Sequence, residues 1–132
     1  MLFRSEEFRA SLGAVLARDF HVTRCVMLDI DVEGRKFRAL NEVVVSAGPP
    51  FRITEFELSI DGEVVATFRG DGLILSTPVG STAHNLAAGG PILVQTLPAV
   101  VVTPICGYAL TYRPLVASAD GEFLLQIGRA HV

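Results

Sequence analysis

The sequence predicts a mainly β protein, most simply a two-layer β-sandwich, with one N-terminal helix and a short helix after a Gly-Ser-Thr-Ala turn. Three observations lead to this fold class. From residue 22 onward, apolar residues recur mainly with a period of two, as in half-buried strands. The strand-like segments are short and are separated by turns rich in glycine and proline. Of the 132 residues, 50% are apolar, which suffices for the core of one domain.

An amphipathic helix is predicted over residues 5–18. Phe8, Leu12 and Val15 recur at helical spacing, so that they share one face. A serine at the start is a favourable cap, and two glutamates in the first turn suit the positive end of the helix dipole. We expect residues 1–19 to form a helix between two domains.

Two strands are predicted before residue 50. The first covers residues 22–32, where apolar and polar residues alternate, and a Glu33-Gly34 turn follows it. The second covers residues 37–46, which are rich in β-branched residues, and a Gly-Pro-Pro run ends it.

A β-hairpin is predicted around Asp61-Gly62. Alternating runs flank this dipeptide on both sides, and Asp-Gly between such runs is a strong hairpin signal. The remaining elements are strands over residues 73–75, 100–105, 115–118 and 123–127 and a short helix over residues 81–88.

Composition excludes several kinds of partner. A net charge of -3 and a pI near 5.5 argue against nucleic acid, which needs a concentrated basic surface. No apolar run approaches the roughly 20 residues that span a bilayer, and the start lacks a secretory signal, so we expect a cytoplasmic protein without a membrane partner. Cys25 and Cys106 are expected to be packed, reduced thiols.

The last six residues, 127–132, match one reading-frame translation of a widely used sequencing-library adapter. We therefore expect the domain to cover residues 1–126 and the tail to be encoded by the adapter. His131 is accordingly not interpreted as catalytic.

Two groups of polar residues are candidates for a binding site. Asp71 lies between two glycines at a strand start, and the Ser, Thr and Gly run at residues 76–83 opens a helix whose free N–H groups suit phosphate or other polar ligand atoms. Asn41 and Glu42 interrupt an apolar strand, which costs free energy unless they find partners. The simpler alternatives are a turn aspartate and an exposed or internally bonded pair.

Together these motifs resemble the C-terminal domain of NAD kinases. The resemblance covers roughly residues 20–126 and rests on Asn41-Glu42, Gly-Asp-Gly at 70–72, Ser-Thr-Pro-x-Gly-Ser-Thr-Ala at 76–83, Gly-Gly-Pro at 89–91 and Arg-Pro-Leu-Val at 113–116. It implies an NAD kinase, which phosphorylates the 2′-hydroxyl of the adenosine ribose of NAD with ATP or polyphosphate to give NADP.

The resemblance also implies an NAD-binding site. Glu42 would accept a ribose hydroxyl and Asn41 would contact base or ribose, while Arg52, Arg69 and Asp71 would belong to the substrate pocket. The segment that would wrap the adenine consists of Thr82, Ala83, His84, Asn85, Leu86 and Ala87. His84 departs from the family pattern, which usually has tyrosine there.

The resemblance implies no catalytic residue and no metal ligand within this chain. NAD kinases hold the phosphates of ATP in an N-terminal domain with a Gly-Gly-Asp-Gly loop, and no such loop precedes residue 41. Mg²⁺ would accompany ATP in the full-length enzyme. The β domain would form a homo-oligomer, a dimer or a tetramer, in which Arg69 and Asp71 complete a neighbour's pocket. We expect the chain alone not to phosphorylate NAD.

Two alternatives stay open at this point. One is a non-catalytic nucleotide-binding β module. The other is the C-terminal domain of a lipid kinase of the diacylglycerol and sphingosine group, which would not be expected to keep Asn41-Glu42 together with the Ser-Thr-Pro motif. A Walker A loop and a Gly-x-Ser-x-Gly hydrolase motif are both absent from the sequence.

Overall fold

The computed structural model describes residues 5–49, 53–108 and 112–129, and β-strands predominate in them. Two α-helices and one 3-10 turn accompany the strands. The elements in chain order are α1 (Ser5–Leu16), β1 (Leu28–Val32), β2 (Arg35–Ala39), β3 (Glu42–Ser46), β4 (Thr54–Ile60), β5 (Glu63–Gly70), β6 (Gly72–Ser76), a 3-10 turn (Gly80–Thr82), α2 (His84–Ala87), β7 (Ala99–Ile105), β8 (Leu115–Ser118) and β9 (Phe123–Arg129).

The main strands form two antiparallel sheets that pack face to face. One sheet has the order β3-β6-β7-β8 and the other the order β5-β4-β9, while β1 and β2 form a separate hairpin. Phe56, Leu58 and Phe68 of the three-stranded sheet meet Leu73 and Val102 of the four-stranded sheet in the buried core. The predicted two-layer β-sandwich is therefore confirmed.

The hairpin around Asp61-Gly62 is also confirmed. Asp61 has φ 52° and Gly62 has φ 82°, which is the pair of positive φ angles that a type I′ turn requires. The turn joins β4 to β5, with Ile60 paired to Glu63. Glycine and aspartate tolerate this conformation well, so the dipeptide fixes the pairs nearest the turn, and a bulge between Leu58 and Ser59 shifts the register beyond them.

The predicted strands over 22–32 and 37–46 are wrong in part. Residues 22–27 are not in a strand, and the second prediction corresponds to two strands with a break at Leu40 and Asn41. The pairing of β1 with β2 ends at Leu28 opposite Ala39. The physical reason is that the chain leaves the hairpin after Ala39: the carbonyl groups of Leu40 and Asn41 accept hydrogen bonds from Thr77, and from Glu42 onward the chain pairs with β6 instead.

The two helices form close to where the sequence predicts them, but both are shorter. Helix α1 ends at Leu16, and its large apolar side chains stay exposed, for example Leu16 at 75%. The second helix divides into the 3-10 turn and the four-residue α2. In the part of the chain that the structure describes, neither helix has the length and hydropathy to cross a bilayer.

Two further predictions concern the cysteines and the C-terminal boundary of the domain. Cys25 and Cys106 are free, but both are exposed, so the expected packing is wrong. Strand β9 continues to Arg129, which pairs with Thr54, so residue 126 is not a structural boundary. The origin of residues 127–132 in an adapter stays a prediction.

Candidate functional site

The candidate site lies where β6 ends in the middle of the four-stranded sheet. Strand β6 pairs with β3 on one side and with β7 on the other, and its last residue, Ser76, faces Glu42 of β3. The chain then turns at Pro78 and Gly80 into α2. Because β6 is central and buried, the polar residues that follow it must satisfy their hydrogen bonds inside the protein.

Thr77 joins this turn to the start of β3. Its hydroxyl donates to the carbonyl of Leu40 at 2.6 Å, and its backbone N–H donates to the carbonyl of Asn41 at 2.8 Å. The same hydroxyl accepts the N–H of Gly80 at 3.2 Å. The turn and the link between β2 and β3 are therefore held together by one buried side chain.

Ser81 fixes the turn to the segment that returns to β7. Its hydroxyl donates to the carbonyl of Pro78 at 2.6 Å and accepts the N–H of Leu93 at 3.0 Å. Ser81 is fully buried. Its hydroxyl group is therefore occupied within the protein.

Asn85 is the centre of a second buried network. Its Nδ2 donates to the carbonyls of Ser81 at 3.1 Å and Pro91 at 3.0 Å, and its Oδ1 accepts the hydroxyl of Thr103 at 2.6 Å. A side chain at Gly90 would overlap the Asn85 amide. The structure thus places the Asn85 side chain inside the fold, a structural role that its motif position alone did not reveal.

Most of the remaining predicted residues of this segment lie on the surface. Thr82, Ala83, His84, Leu86 and Ala87 are all exposed around the 3-10 turn and α2. Asn41 is exposed as well. The register of β3 on β6 brings Asn41 and Glu42 to the same end of the sheet as this turn, as the family resemblance implied.

Glu42 has an unusual environment. The side chain as a whole is half-buried, but its Oε2 is fully buried and has no hydrogen-bond partner among the described residues. A buried carboxylate oxygen without a donor is costly. Of the buried side-chain oxygen and nitrogen atoms that the structure describes, this atom alone lacks a partner.

Arg69 and Asp71 lie at the opposite end of β6. Asp71 precedes Gly72, and about 20 Å separate it from Thr77 if each residue of a strand advances about 3.3 Å. Its side chain is exposed, whereas its N–H donates to the carbonyl of Ile105 at 3.1 Å. The structure therefore does not bring Asp71 to Asn41 and Glu42 within one chain.

Arg69 is engaged in an ion pair. Its Nε lies 2.7 Å from Oε2 of Glu55, and this hydrogen-bonded carboxylate raises the pKa of Arg69 above its usual value. Both side chains remain partly exposed, so the pair is screened by solvent. Arg52, the other predicted arginine, lies outside the described residues.

A groove on the β1–β2 hairpin does not coincide with these residues. It is lined by Asp29, Ile30, Asp31, Lys36, Phe37 and Arg38, none of which is a predicted site residue. Within the described ranges, no three His, Cys, Asp or Glu side chains cluster in a way that could hold a metal ion. The polar end of β6 is thus the arrangement that matches the sequence motifs.

The described residues thus form a β-sandwich in which a buried turn of Ser, Thr and Gly residues lies beside a strand-end carboxylate. A family model described as the ATP-NAD kinase C-terminal domain matches residues 40–129. The chain belongs to this family. The match begins at the break before β3 and ends with β9, so it contains both sheets of the sandwich.

Individual relatives agree with the family model. The NAD kinase of Rhodopirellula baltica is 46% identical over 127 residues, covering 92% of this chain and 41% of the relative. The NAD kinase of Acidobacterium capsulatum is 45% identical over 121 residues, covering 92% of this chain and 39% of the relative. The chain therefore spans about two-fifths of the length of the curated relatives that it matches.

Solved structures are similar in fold. Yeast NADH kinase complexed with NADH superimposes with a TM-score of 0.84 at 28% identity, covering 93% of this chain and 38% of that protein. The NAD kinase of Archaeoglobus fulgidus in complex with ATP gives 0.81 at 25% identity, covering 92% and 48%. These findings confirm the family that the motifs predict.

Proposed function

We propose that the chain is the NAD-binding part of an NAD kinase, which transfers a phosphoryl group from ATP or polyphosphate to the 2′-hydroxyl of the adenosine ribose and yields NADP. The phosphoryl donor would be held by a part of the enzyme outside this chain. The observation that carries the proposal is the half-buried carboxylate of Glu42, one of whose oxygens has no partner in the protein, at the end of the sheet where the motif residues meet.

Glu42 suits a ribose. A carboxylate accepts hydrogen bonds from sugar hydroxyls, and the Glu42 side chain is only half-buried, so a ribose can approach it from the surface. Asn41, exposed beside it, offers an amide that can both donate to and accept from the base or the ribose. This pair therefore supports recognition of the adenosine end of NAD.

The exposed turn suits an adenine. Thr82 and Ala83 present small side chains and backbone groups, and His84 presents an aromatic ring on which a base can stack. Leu86 and Ala87 add exposed apolar surface beside the ring. In this proposal the Asn85 side chain does not contact NAD but holds the turn in place by its buried hydrogen bonds.

Arg69 and Asp71 belong to the proposal only through a symmetric assembly. They lie at the far end of β6 from Glu42, outside the cluster that Glu42 and the turn form. In a homo-oligomer, a dimer or a tetramer, the exposed Asp71 of one subunit would complete the pocket of its neighbour. Mg²⁺ would enter with ATP on the other part of the enzyme, and the reaction would take place in the cytoplasm as a step of NADP synthesis.

Calorimetric titration of the chain tests the NAD site. We expect NAD and ADP-ribose to bind with a Kd below about 1 mM, and nicotinamide mononucleotide, which lacks the adenosine, not to bind in that range. Absence of NAD binding by the folded chain would contradict the proposal. Substantial formation of NADP from NAD and ATP by the chain alone would show that the donor site is not elsewhere.

The DNA upstream of residue 1 distinguishes the kinase from a stand-alone binding module. A continuous reading frame that encodes Gly-Gly-Asp-Gly supports the kinase, because that loop holds the phosphates of ATP in the family that the sequence resembles. A stop codon and a start site directly before residue 1 support a nucleotide-binding module without phosphoryl transfer.

A further inference from the structure

Thr77 is buried, and none of its polar groups faces the surface where NAD would bind. Its hydroxyl donates to Leu40, its N–H donates to Asn41, and its hydroxyl accepts from Gly80. Two successive carbonyl groups at the start of β3 and one amide of the turn thus depend on a single residue. The two segments that carry the proposed ribose and adenine contacts meet at this point.

The packing at Gly80 supports the same connection. A Cβ atom at Gly80 would overlap the carbonyl oxygen of Asn41, so the backbone of the turn lies directly against the backbone of the Asn41 peptide. Gly80 and Thr77 are both buried. The distance between the two segments is therefore set by backbone contact and by the Thr77 hydroxyl together.

We propose that Thr77 is a positioning residue for NAD binding, which fixes Asn41 and Glu42 relative to the turn at Gly80–Thr82. This inference rests on the function proposed above. Thr77 does not touch the ligand. It acts because a ligand that spans both segments binds tightly only when their separation is held constant, and small displacements of a binding group reduce affinity strongly.

The hydroxyl group is the part that matters. Thr77→Val keeps the volume and the backbone N–H bond but leaves the carbonyl of Leu40 and the N–H of Gly80 without their partner. Both groups can recover a hydrogen bond only if one segment moves. Thr77→Ser keeps the hydroxyl and loses only a methyl group, so it serves as the conservative variant.

The test compares NAD affinity at a temperature where each variant is fully folded by circular dichroism. We expect Thr77→Val to weaken NAD binding about tenfold and Thr77→Ser to stay within about twofold of the unaltered chain. Ser59→Ala removes a buried hydroxyl from β4 in the other sheet and is the matched control, with unchanged affinity. Equal affinity of Thr77→Val and the unaltered chain would overturn the inference.

A double-mutant cycle with Glu42→Gln separates positioning from a general loss of stability. If Thr77 acts through the placement of Glu42, the effect of Glu42→Gln on NAD affinity is smaller in the Thr77→Val background than in the unaltered chain. Additive effects would overturn the inference. Failure of the unaltered chain to bind NAD would instead contradict the proposed function, so the two failures are distinct.

Amide hydrogen exchange of the unaltered chain tests the same connection without a substitution. The N–H of Gly80 bonds to the Thr77 hydroxyl, and the N–H of Thr77 bonds to Asn41. We expect NAD to slow exchange of both amides by a similar factor, since they open as one unit. Protection of only one of the two amides would overturn the inference.

Discussion

The two ends of β6 carry polar residues of the same family motif, but they are built differently. At the end near Ser76, the polar side chains of Thr77, Ser81 and Asn85 are buried and hydrogen-bonded to three other segments. At the other end, Asp71 is exposed, and Arg69 is paired with Glu55 near the surface. One end is fixed from within, and the other end faces outward.

The difference separates two kinds of contribution to a binding site. A buried network holds backbone and side chains in one arrangement before a ligand arrives, which reduces the entropy that binding must overcome. An exposed acid at a strand end gains its partners only from a ligand or from another subunit. Under the proposed function, the first end would be a preformed half of the NAD site, and the second would be completed by assembly.

The largest expected effect concerns the buried network. Asn85→Leu would leave the hydroxyl of Thr103 and the carbonyls of Ser81 and Pro91 without partners. Because each unsatisfied buried group costs about 1–3 kcal/mol, we expect the free energy of unfolding to fall by about 4 kcal/mol in urea denaturation. Gln95→Leu, at an exposed amide, is the control. A loss below about 1 kcal/mol would show that the network is not what fixes this end.

Glu42→Gln tests whether an unpartnered group serves binding rather than folding. We expect NAD affinity to fall about tenfold, equivalent to about 1.4 kcal/mol, because the acceptor for the ribose is altered. The free energy of unfolding should stay the same or rise by about 1 kcal/mol, since an uncompensated buried oxygen is relieved. Glu57→Gln, a half-buried glutamate on β4, is the matched control. A parallel loss of stability and affinity would identify Glu42 as a structural residue instead.

Asp71→Asn sharpens the comparison through subunit mixing. We expect assemblies made only of Asp71→Asn chains, and those made only of Glu42→Gln chains, each to bind NAD several-fold more weakly than the unaltered protein. After the two are refolded together as dimers, about a quarter of the sites would combine both intact residues and regain full affinity. Titration of the mixture would then show a tight fraction. Its absence would mean that Asp71 does not complete a neighbour's site.

The smallest effect is expected on the hairpin before Asn41. The hydrogen-bonded guanidinium of Arg38 lowers the pKa of Asp29 below its usual value, so this pair stabilises the fold fully above about pH 3.8 and loses its effect as the pH falls through the lowered pKa. Unfolding profiles of the unaltered chain and Arg38→Gln should therefore differ slightly at neutral pH and converge in acid. NAD affinity should not change. A change in NAD affinity would show that the β1–β2 hairpin also contributes to the site at the Ser76 end of β6.

The sequence predicts elements well where local chemistry decides them. Asp61-Gly62 determined a hairpin because its preferred backbone angles are those of the turn, and the strand over residues 115–118 was predicted with its observed bounds. Local alternation misled over residues 22–27, because a strand also needs a partner. After Ala39 the chain leaves the hairpin, and Leu40 and Asn41 are hydrogen-bonded to Thr77, more than 30 residues away in the chain.

In the candidate site, too, some features follow from the local sequence and others depend on residues far away in the chain. The family resemblance implied that Asn41, Glu42 and the Ser-Thr turn belong to one site, and the register of β3 on β6 brings them to the same end of the sheet. The inward orientation of Asn85 depends on Thr103, whose place opposite α2 follows only from the order of strands in the sheet. A polar residue in a binding motif can therefore serve the scaffold, and sequence patterns do not distinguish the two roles.

The passage from β5 to β6 through Asp71 has a mechanical consequence. Gly70 ends a strand of one layer and Gly72 begins a strand of the other, and a side chain at either glycine would press on a carbonyl oxygen, of Ile105 or of Val45. Because only one residue separates these glycines, neither sheet can move away from the other without displacing it. We therefore expect both sheets to unfold in a single cooperative transition on heating or under mechanical force.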